Sequence, residues 1–206
     1  MRARVGFDLL IVTDGQPRLR ERIDLALSRA TPGRVAVLMR ERELPTRELV
    51  ALGRALRAST DERGALLLVS DRIDIAQAID ADGVQLPELG FAPELARALL
   101  GRHALIGLSR HDTPSLLEAA ARGADYATLS PVRAVEGKAP PLGIDGFARG
   151  IAGASVPVYA LGCVRAEDVG PLLARGARGV AVMRAVLAAD DPGLAARRLL
   201  DALARA

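Results

Sequence analysis

Residues 156–187 read VPVYALGCVRAEDVGPLLARGARGVAVMRAVL, and they decide the fold. Two short apolar runs, Pro157–Leu161 and Gly179–Val182, are nearly continuous rather than alternating, which marks strands buried on both faces. Between them Ala166–Arg175 carries apolar residues at helical spacing. The segment GARG supplies Gly176, a glycine that ends the helix just before the next strand. A strand, a helix and a second strand in so few residues imply a parallel crossover.

The same unit recurs outward from this stretch. Further strands are expected at Leu9–Thr13, Arg34–Met39, Ala65–Val69, Gly83–Leu86, Ala104–Leu108 and Asp125–Leu129. Amphipathic helices are expected at Arg18–Ala30, Thr46–Thr60, Arg72–Ile79, Ala92–Leu100, Thr113–Arg122, Gly143–Ile151 and Pro192–Ala204. Such regular alternation favours closure into an α/β fold, a single parallel (β/α)8 TIM barrel, over an open doubly wound sheet. The whole chain, residues 1–206, is expected to form that one domain.

Composition narrows the function classes. Half of the residues are hydrophobic, aromatics make up 2% and tryptophan is absent, so the core is expected to rest on Leu, Val, Ile and Ala. So few aromatics leave no base-stacking surface for single-stranded nucleic acid. The net charge is +3, but the arginines are spread among acids, as in REREL and AARRLLDALARA, with no basic block. Nucleic acid is therefore not expected as a partner. A single cysteine, Cys163, forms no internal disulfide, and no apolar span of about 18 residues is present, so a cytoplasmic protein without a membrane partner is expected.

If the barrel closes, the residues that follow each strand converge on one mouth at the C-terminal face. Loops after strands seven and eight of many barrels hold a phosphate through backbone N–H groups. Gly162 and Cys163 follow strand seven, and Met183 and Arg184 follow strand eight. The other reading of Gly162 is that it eases a tight turn. Arg40 and Arg42, alternate residues after strand two, are candidates to pair with phosphate oxygens, or are a solvated pair neutralised by Glu41 and Glu43. Lys138, the chain's one lysine, lies on the longest loop, Ser130–Pro141, and is a candidate to close over an anion.

Asp71 is a candidate Mg²⁺ ligand, or a cap for the helix that begins at Arg72. Asp14 either helps from strand one or forms a turn with Gly15. His111 is the one histidine expected at the mouth and a candidate proton carrier, against the simpler reading of a loop histidine with no catalytic task. Cys163 reads more readily as a small packed residue than as a nucleophile.

Seven segments then bring a family into view: LIVTD, VLMRERELPTRELVAL, LLLVSDRIDIAQAIDADGVQLPELGFAPELARALLG, IGLSRH, GADYATLSPV, VPVYALGCV and GARGVAVMRAVLAADDP. In order and spacing they resemble the thiamine phosphate synthase and TenI superfamily over nearly the whole chain. The resemblance implies a barrel that binds a phosphorylated thiazole. In the synthase, a transferase, it also implies a hydroxymethylpyrimidine diphosphate, Mg²⁺ and release of pyrophosphate. Ser109 resembles the family's serine after strand five. A homodimer is left open.

The departures bear on the branch. Where synthases show Gln-x-Arg-x-Lys, this chain has Leu38, Arg40 and Arg42. Where they show Asn-Asp, it has Ser70 and Asp71. Gly90 stands in place of a second metal-binding aspartate, and Val135 and Gly137 in place of two threonines, while Lys138 is kept. The paired glycines after strand seven become Gly162 and Cys163. The segment GVQLPELGFAPELARA resembles TenI proteins, yet Pro131 occupies the position of the TenI tautomerase histidine. The leading expectation is a TenI-like thiazole tautomerase with His111 as a replacement proton carrier. The alternatives are a divergent synthase and a non-catalytic phosphate-binding or regulatory barrel.

Overall fold

The computed structural model describes residues 5–119 and 121–205. Residue 120, inside the helix expected over 113–122, lies outside the described residues, as do 1–4 and 206 of the domain expected over 1–206. Eight strands close into an all-parallel barrel in sequential order. They are β1 (Leu9–Val12), β2 (Val35–Met39), β3 (Leu66–Ser70), β4 (Gly83–Leu86), β5 (Leu105–Arg110), β6 (Tyr126–Leu129), β7 (Val158–Leu161) and β8 (Gly179–Val182). The ring closes where β8 pairs with β1, Leu9 opposite Val180 and Ile11 opposite Val182.

Helices cover the outside: α1 (Leu19–Ser28), α2 (Thr46–Arg63), α3 (Ile73–Ala78), α4 (Pro93–Leu100), α5 (Thr113–Leu117), α6 (Gly143–Ile151), α7 (Ala166–Leu173), a short α8 (Arg184–Leu187) and α9 (Pro192–Arg205). The expected (β/α)8 TIM barrel is therefore the fold. Near-continuous strand hydrophobicity has a direct cause. One set of strand residues packs outward against the helices, and the alternate set fills the barrel.

The barrel interior departs from the expected aliphatic core. Three of the few aromatics, Phe7, Tyr126 and Tyr159, meet inside it with ring centroids 4.8–5.6 Å apart. The Tyr159 hydroxyl donates to the Phe7 carbonyl at 2.6 Å, which satisfies its polar tip in a buried setting.

Much of the arginine is spent at the N-terminal end. Asp8 pairs with Arg34 and with Arg178, Asp82 with Arg57, and Asp125 with Arg97. Asp82 and Asp125 also accept the backbone N–H of Leu67 and Ile106 at 2.7 and 2.8 Å. Each aspartate joins neighbouring strands to an outer helix or to another strand, so these charges serve closure and leave the opposite face for ligands. No helix among the described residues is long and apolar enough to cross a membrane.

Candidate functional site

Two cavities open at the C-terminal ends of the strands, one over β6, β7 and β8 and one over β2, β3 and β4. The first, about 180 Å³, is bounded by Ser130, Pro131, Val135, Lys138, Gly162, Cys163, Met183 and Arg184. Its walls come from the loops after β6, β7 and β8.

The loop after β6 is held by backbone bonds. Val132 N–H donates to Leu161 O at 2.8 Å and Arg133 N–H to Gly162 O at 3.1 Å, prolonging the β6–β7 pairing past the strand ends. Gly162 makes this possible. Its φ is +108°, and a Cβ there would stand 2.8 Å from Pro131 Cα and 2.9 Å from Val132 N. The glycine therefore serves the close approach of two backbones, a role neither sequence reading of it included.

Cys163 also takes a left-handed conformation, φ 49°, and is exposed rather than packed. That conformation suits the glycine expected there from the family resemblance and costs a cysteine strain. After β8, Met183 leads into α8. The Val186 and Leu187 amides turn back to Met183 O, while those of Arg184 and Ala185, in the first turn, have no intrahelical acceptor. Lys138 reaches this cavity from a turn in which its N–H bonds Val135 O at 3.2 Å and Gly137 has φ +71°.

An ion pair between a partly exposed arginine and a buried aspartate fixes the loop from outside. Arg133 grips Asp168, near the start of α7, through two bonds of 2.7 and 2.5 Å, and Asp168 also accepts Arg165 N–H at 2.9 Å. Burial alone would raise the Asp168 pKa, but the bonds from Arg133 and the Arg165 amide outweigh it and hold the carboxyl below its ordinary value. Sequence reasoning missed this pair. A capping aspartate three residues into α7 was legible, but its arginine lies 35 positions away.

The second cavity, about 280 Å³, lies over β2, β3 and β4 and is lined by Arg40, Arg42, Ser70, Asp71 and Pro87 among others. Arg40 is positioned by its backbone N–H, which donates to the buried Thr13 hydroxyl at 2.8 Å. Its guanidinium is held below its ordinary pKa by burial first and by the neighbouring Arg42 charge second. Among the described residues neither Arg40 nor Arg42 has a carboxylate within ion-pair distance. Glu41 instead accepts Gly15 N–H at 3.2 Å, so the neutralised pair the sequence allowed does not form as an ion pair. Asp14 lies in that first loop beside Arg40, with one carboxylate oxygen buried and without a hydrogen bond.

Asp71 sits in a tight turn with φ 65°, its N–H donating to Gln85 O at 3.0 Å. It does not cap α3: the capping position belongs to Arg72, with no side-chain cap bond. The Arg72 side chain, also on this cavity's wall, turns to Asp74, at 2.8 and 2.6 Å.

The Mg²⁺ implied by the family resemblance was tested against this donor set. A Cβ on Gly90 would lie 2.9 Å from Asp71 Oδ1, so residue 90 stands where a second carboxylate would share an ion with Asp71. It carries none, and the Pro87 ring, 2.7 Å from that same Cβ position, occupies the space. Among the described residues no group of three or more His, Cys, Asp or Glu side chains comes together to hold a metal. Mg²⁺ demands near-octahedral oxygen coordination, and the residues here do not fit it.

A polar cluster links β4, β5 and β6. Gln85 on β4 donates to the Ser109 hydroxyl on β5 at 3.0 Å and to Thr128 on β6 at 3.3 Å. His111, exposed, places Nδ1 3.1 Å from Ser130 O and 3.2 Å from Ser130 Oγ. A carbonyl only accepts, so a hydrogen bond there has Nδ1–H as its donor. His111 thus lies against the residue before Pro131, outside the walls of both cavities.

A profile of the family described as thiamine monophosphate synthase matches residues 9–186. This chain belongs to that family. Over 205 residues it is 42% identical to a putative thiamine-phosphate synthase of Geobacter sulfurreducens, covering 98% of this chain and 96% of that protein. It is 36% identical over 190 residues to the thiamine-phosphate synthase of Moorella thermoacetica, covering 91% and 90%. The solved thiamine phosphate pyrophosphorylase of Pyrococcus furiosus superposes with a TM-score of 0.87 at 33% identity, covering 98% of each chain. For this thiamine monophosphate synthase family member, the family and the barrel expected from the sequence both hold.

Proposed function

We propose that this chain is a thiamine-phosphate synthase, joining a thiazole phosphate to a hydroxymethylpyrimidine delivered as its diphosphate. The observation that carries the reading is the pair of separate cavities at the C-terminal ends of the strands, one lined by Lys138 and Arg184 and the other by Arg40 and Arg42, none of them within ion-pair distance of a carboxylate among the described residues. A tautomerase handles one phosphorylated substrate and needs one such cavity; a synthase needs two. This reverses the order in which the sequence alone ranks the branches, and the names of the relatives support the same reversal.

In this reading the thiazole phosphate lies against Gly162, Cys163, Met183 and Arg184, with Lys138 as a point charge above it. The diphosphate lies against Arg40 and Arg42, and Ser109 stands in the polar cluster with Gln85. The pyrimidine's exocyclic C–O bond breaks with its electron pair leaving on pyrophosphate. The thiazole nitrogen lone pair forms the new C–N bond. No proton moves in that step, so Pro131 in place of a histidine is no obstacle. The site's tasks are to align two anionic substrates and to balance charge on the leaving group.

Incubation with both substrates, followed by chromatography for thiamine phosphate, tests the reading. Formation is expected, and Lys138→Ala should slow it about 10²-fold. Binding of both substrates without product would retire the synthase.

One observation favours a second reading as thiazole tautomerase: the His111 ring lies against Ser130, which lines the first cavity. If that activity exists, His111→Ala should lower it about 10²–10⁴-fold, and unchanged turnover would remove His111 from the chemistry.

A further inference from the structure

The family implies a divalent cation at the diphosphate, and this chain lacks the carboxylates to hold one. What stands there instead is a pair of guanidinium groups that line a cavity of about 280 Å³ and meet no carboxylate within ion-pair distance among the described residues. We infer that the cavity over β2, β3 and β4 binds a diphosphate through Arg40 and Arg42 without a divalent metal ion. The identity of the anion as a substrate's diphosphate rests on the synthase reading; the metal-independent anion site does not.

Three features support this. Position 90 sits beside Asp71 Oδ1, where a second carboxylate would share an ion with Asp71, but it is a glycine and Pro87 fills the adjoining space. Glu41, the other acid on the cavity wall, is drawn to Gly15 N–H rather than to either arginine. Arg40 is half-buried, and its guanidinium is disfavoured by that burial and by the Arg42 charge, with Glu41 and Asp14 opposing both. An anion between the two arginines removes their repulsion, and each planar fork matches two phosphate oxygens, which a lysine at position 42 would not do. The two arginines bring two positive charges to that anion.

The test is calorimetric titration of inorganic pyrophosphate into the full chain, once in EDTA and once in excess Mg²⁺. Affinities within about threefold of each other are expected, because charge-assisted bonds rather than a bridging ion carry the binding. Arg40→Ala and Arg42→Ala should each weaken binding about tenfold or more in EDTA, with Arg42→Lys intermediate. Thermal unfolding of each variant confirms that loss of affinity is not loss of fold. Loss of binding in EDTA with recovery in Mg²⁺ overturns the inference, and so does an affinity that neither arginine substitution changes. The synthase assay run in parallel separates the two readings. Metal-independent pyrophosphate binding without thiamine phosphate formation sinks the synthase and leaves this inference standing. Thiamine phosphate formed only with Mg²⁺, with no binding in EDTA, does the reverse.

Discussion

The two sides of the mouth are built differently. Over β6, β7 and β8 the site is a backbone construction: two amides continue the β6–β7 pairing, Gly162 lets the loops touch, and an ion pair clamps the loop to α7. Over β2, β3 and β4 it is a side-chain construction, two arginines in a cavity with no ion-pair partner among the described residues. If both sides bind anions as proposed, affinity on the first is tied to stability, because the same residues hold the loops together. On the second side the two are separable, since Arg40 and Arg42 pair with nothing that the fold needs.

The sharpest way to break this contrast is at Gly162. Gly162→Ala places a Cβ 2.8 Å from Pro131 Cα on a residue with φ +108°. Urea unfolding should show a loss of about 2–4 kcal/mol, combining left-handed strain with overpacking. A variant of normal stability would mean that the loops after β6 and β7 do not depend on their contact. The same geometry makes Gly162→Val a poor probe of anion exclusion, because weaker phosphate binding would follow from the displaced loop alone.

Asp168→Asn comes next. It keeps the shape and removes the charge that grips Arg133, so the urea midpoint at neutral pH should fall, by less than at Gly162. The pH dependence gives this a sign. The folded carboxyl titrates below its ordinary value of 3.8, so its contribution is complete above that value and lost as pH falls through the lowered one. Wild type and variant should therefore differ at pH 7 and converge as pH falls through that lowered value. A gap that persisted in acid would assign the effect to packing instead of charge.

The smallest expected effect is on the other side. Arg40→Ala and Arg42→Ala should leave unfolding stability within about 0.5 kcal/mol of wild type, even as anion binding is lost. Arg40 gives up only its own desolvation, and its backbone bond to Thr13 does not involve the side chain. A large loss of stability in either variant would erase the distinction between the two sides.

How much of this was legible depended on range along the chain. Strand β8 and helix α6 have the bounds expected, Gly179–Val182 and Gly143–Ile151, because apolar period and terminal glycines are local signals. Helix α5 stops at Leu117 rather than running on through Arg122, the clearest local miss. Arg40 and Arg42 were recognisable because alternate residues after one strand share a face. The Arg133–Asp168 clamp and the contact of Gly162 with Pro131 were not, since each joins loops about 30 or more residues apart. The aromatic cluster escaped for the same reason: Phe7, Tyr126 and Tyr159 meet only after β1, β6 and β7 have closed around one axis.

The sequence by itself determined the barrel, its single mouth and the family, because buried parallel strands, crossover helices and motif spacing are written in local order. Tertiary structure alone decided what the mouth contains. Whether an arginine is neutralised, whether a glycine admits an anion or a neighbouring backbone, and whether one aspartate has a second carboxylate beside it are questions of distance between strands. Charge and steric interactions fall off over a few ångströms in space, and separation along the chain says little about that distance once the ring has closed.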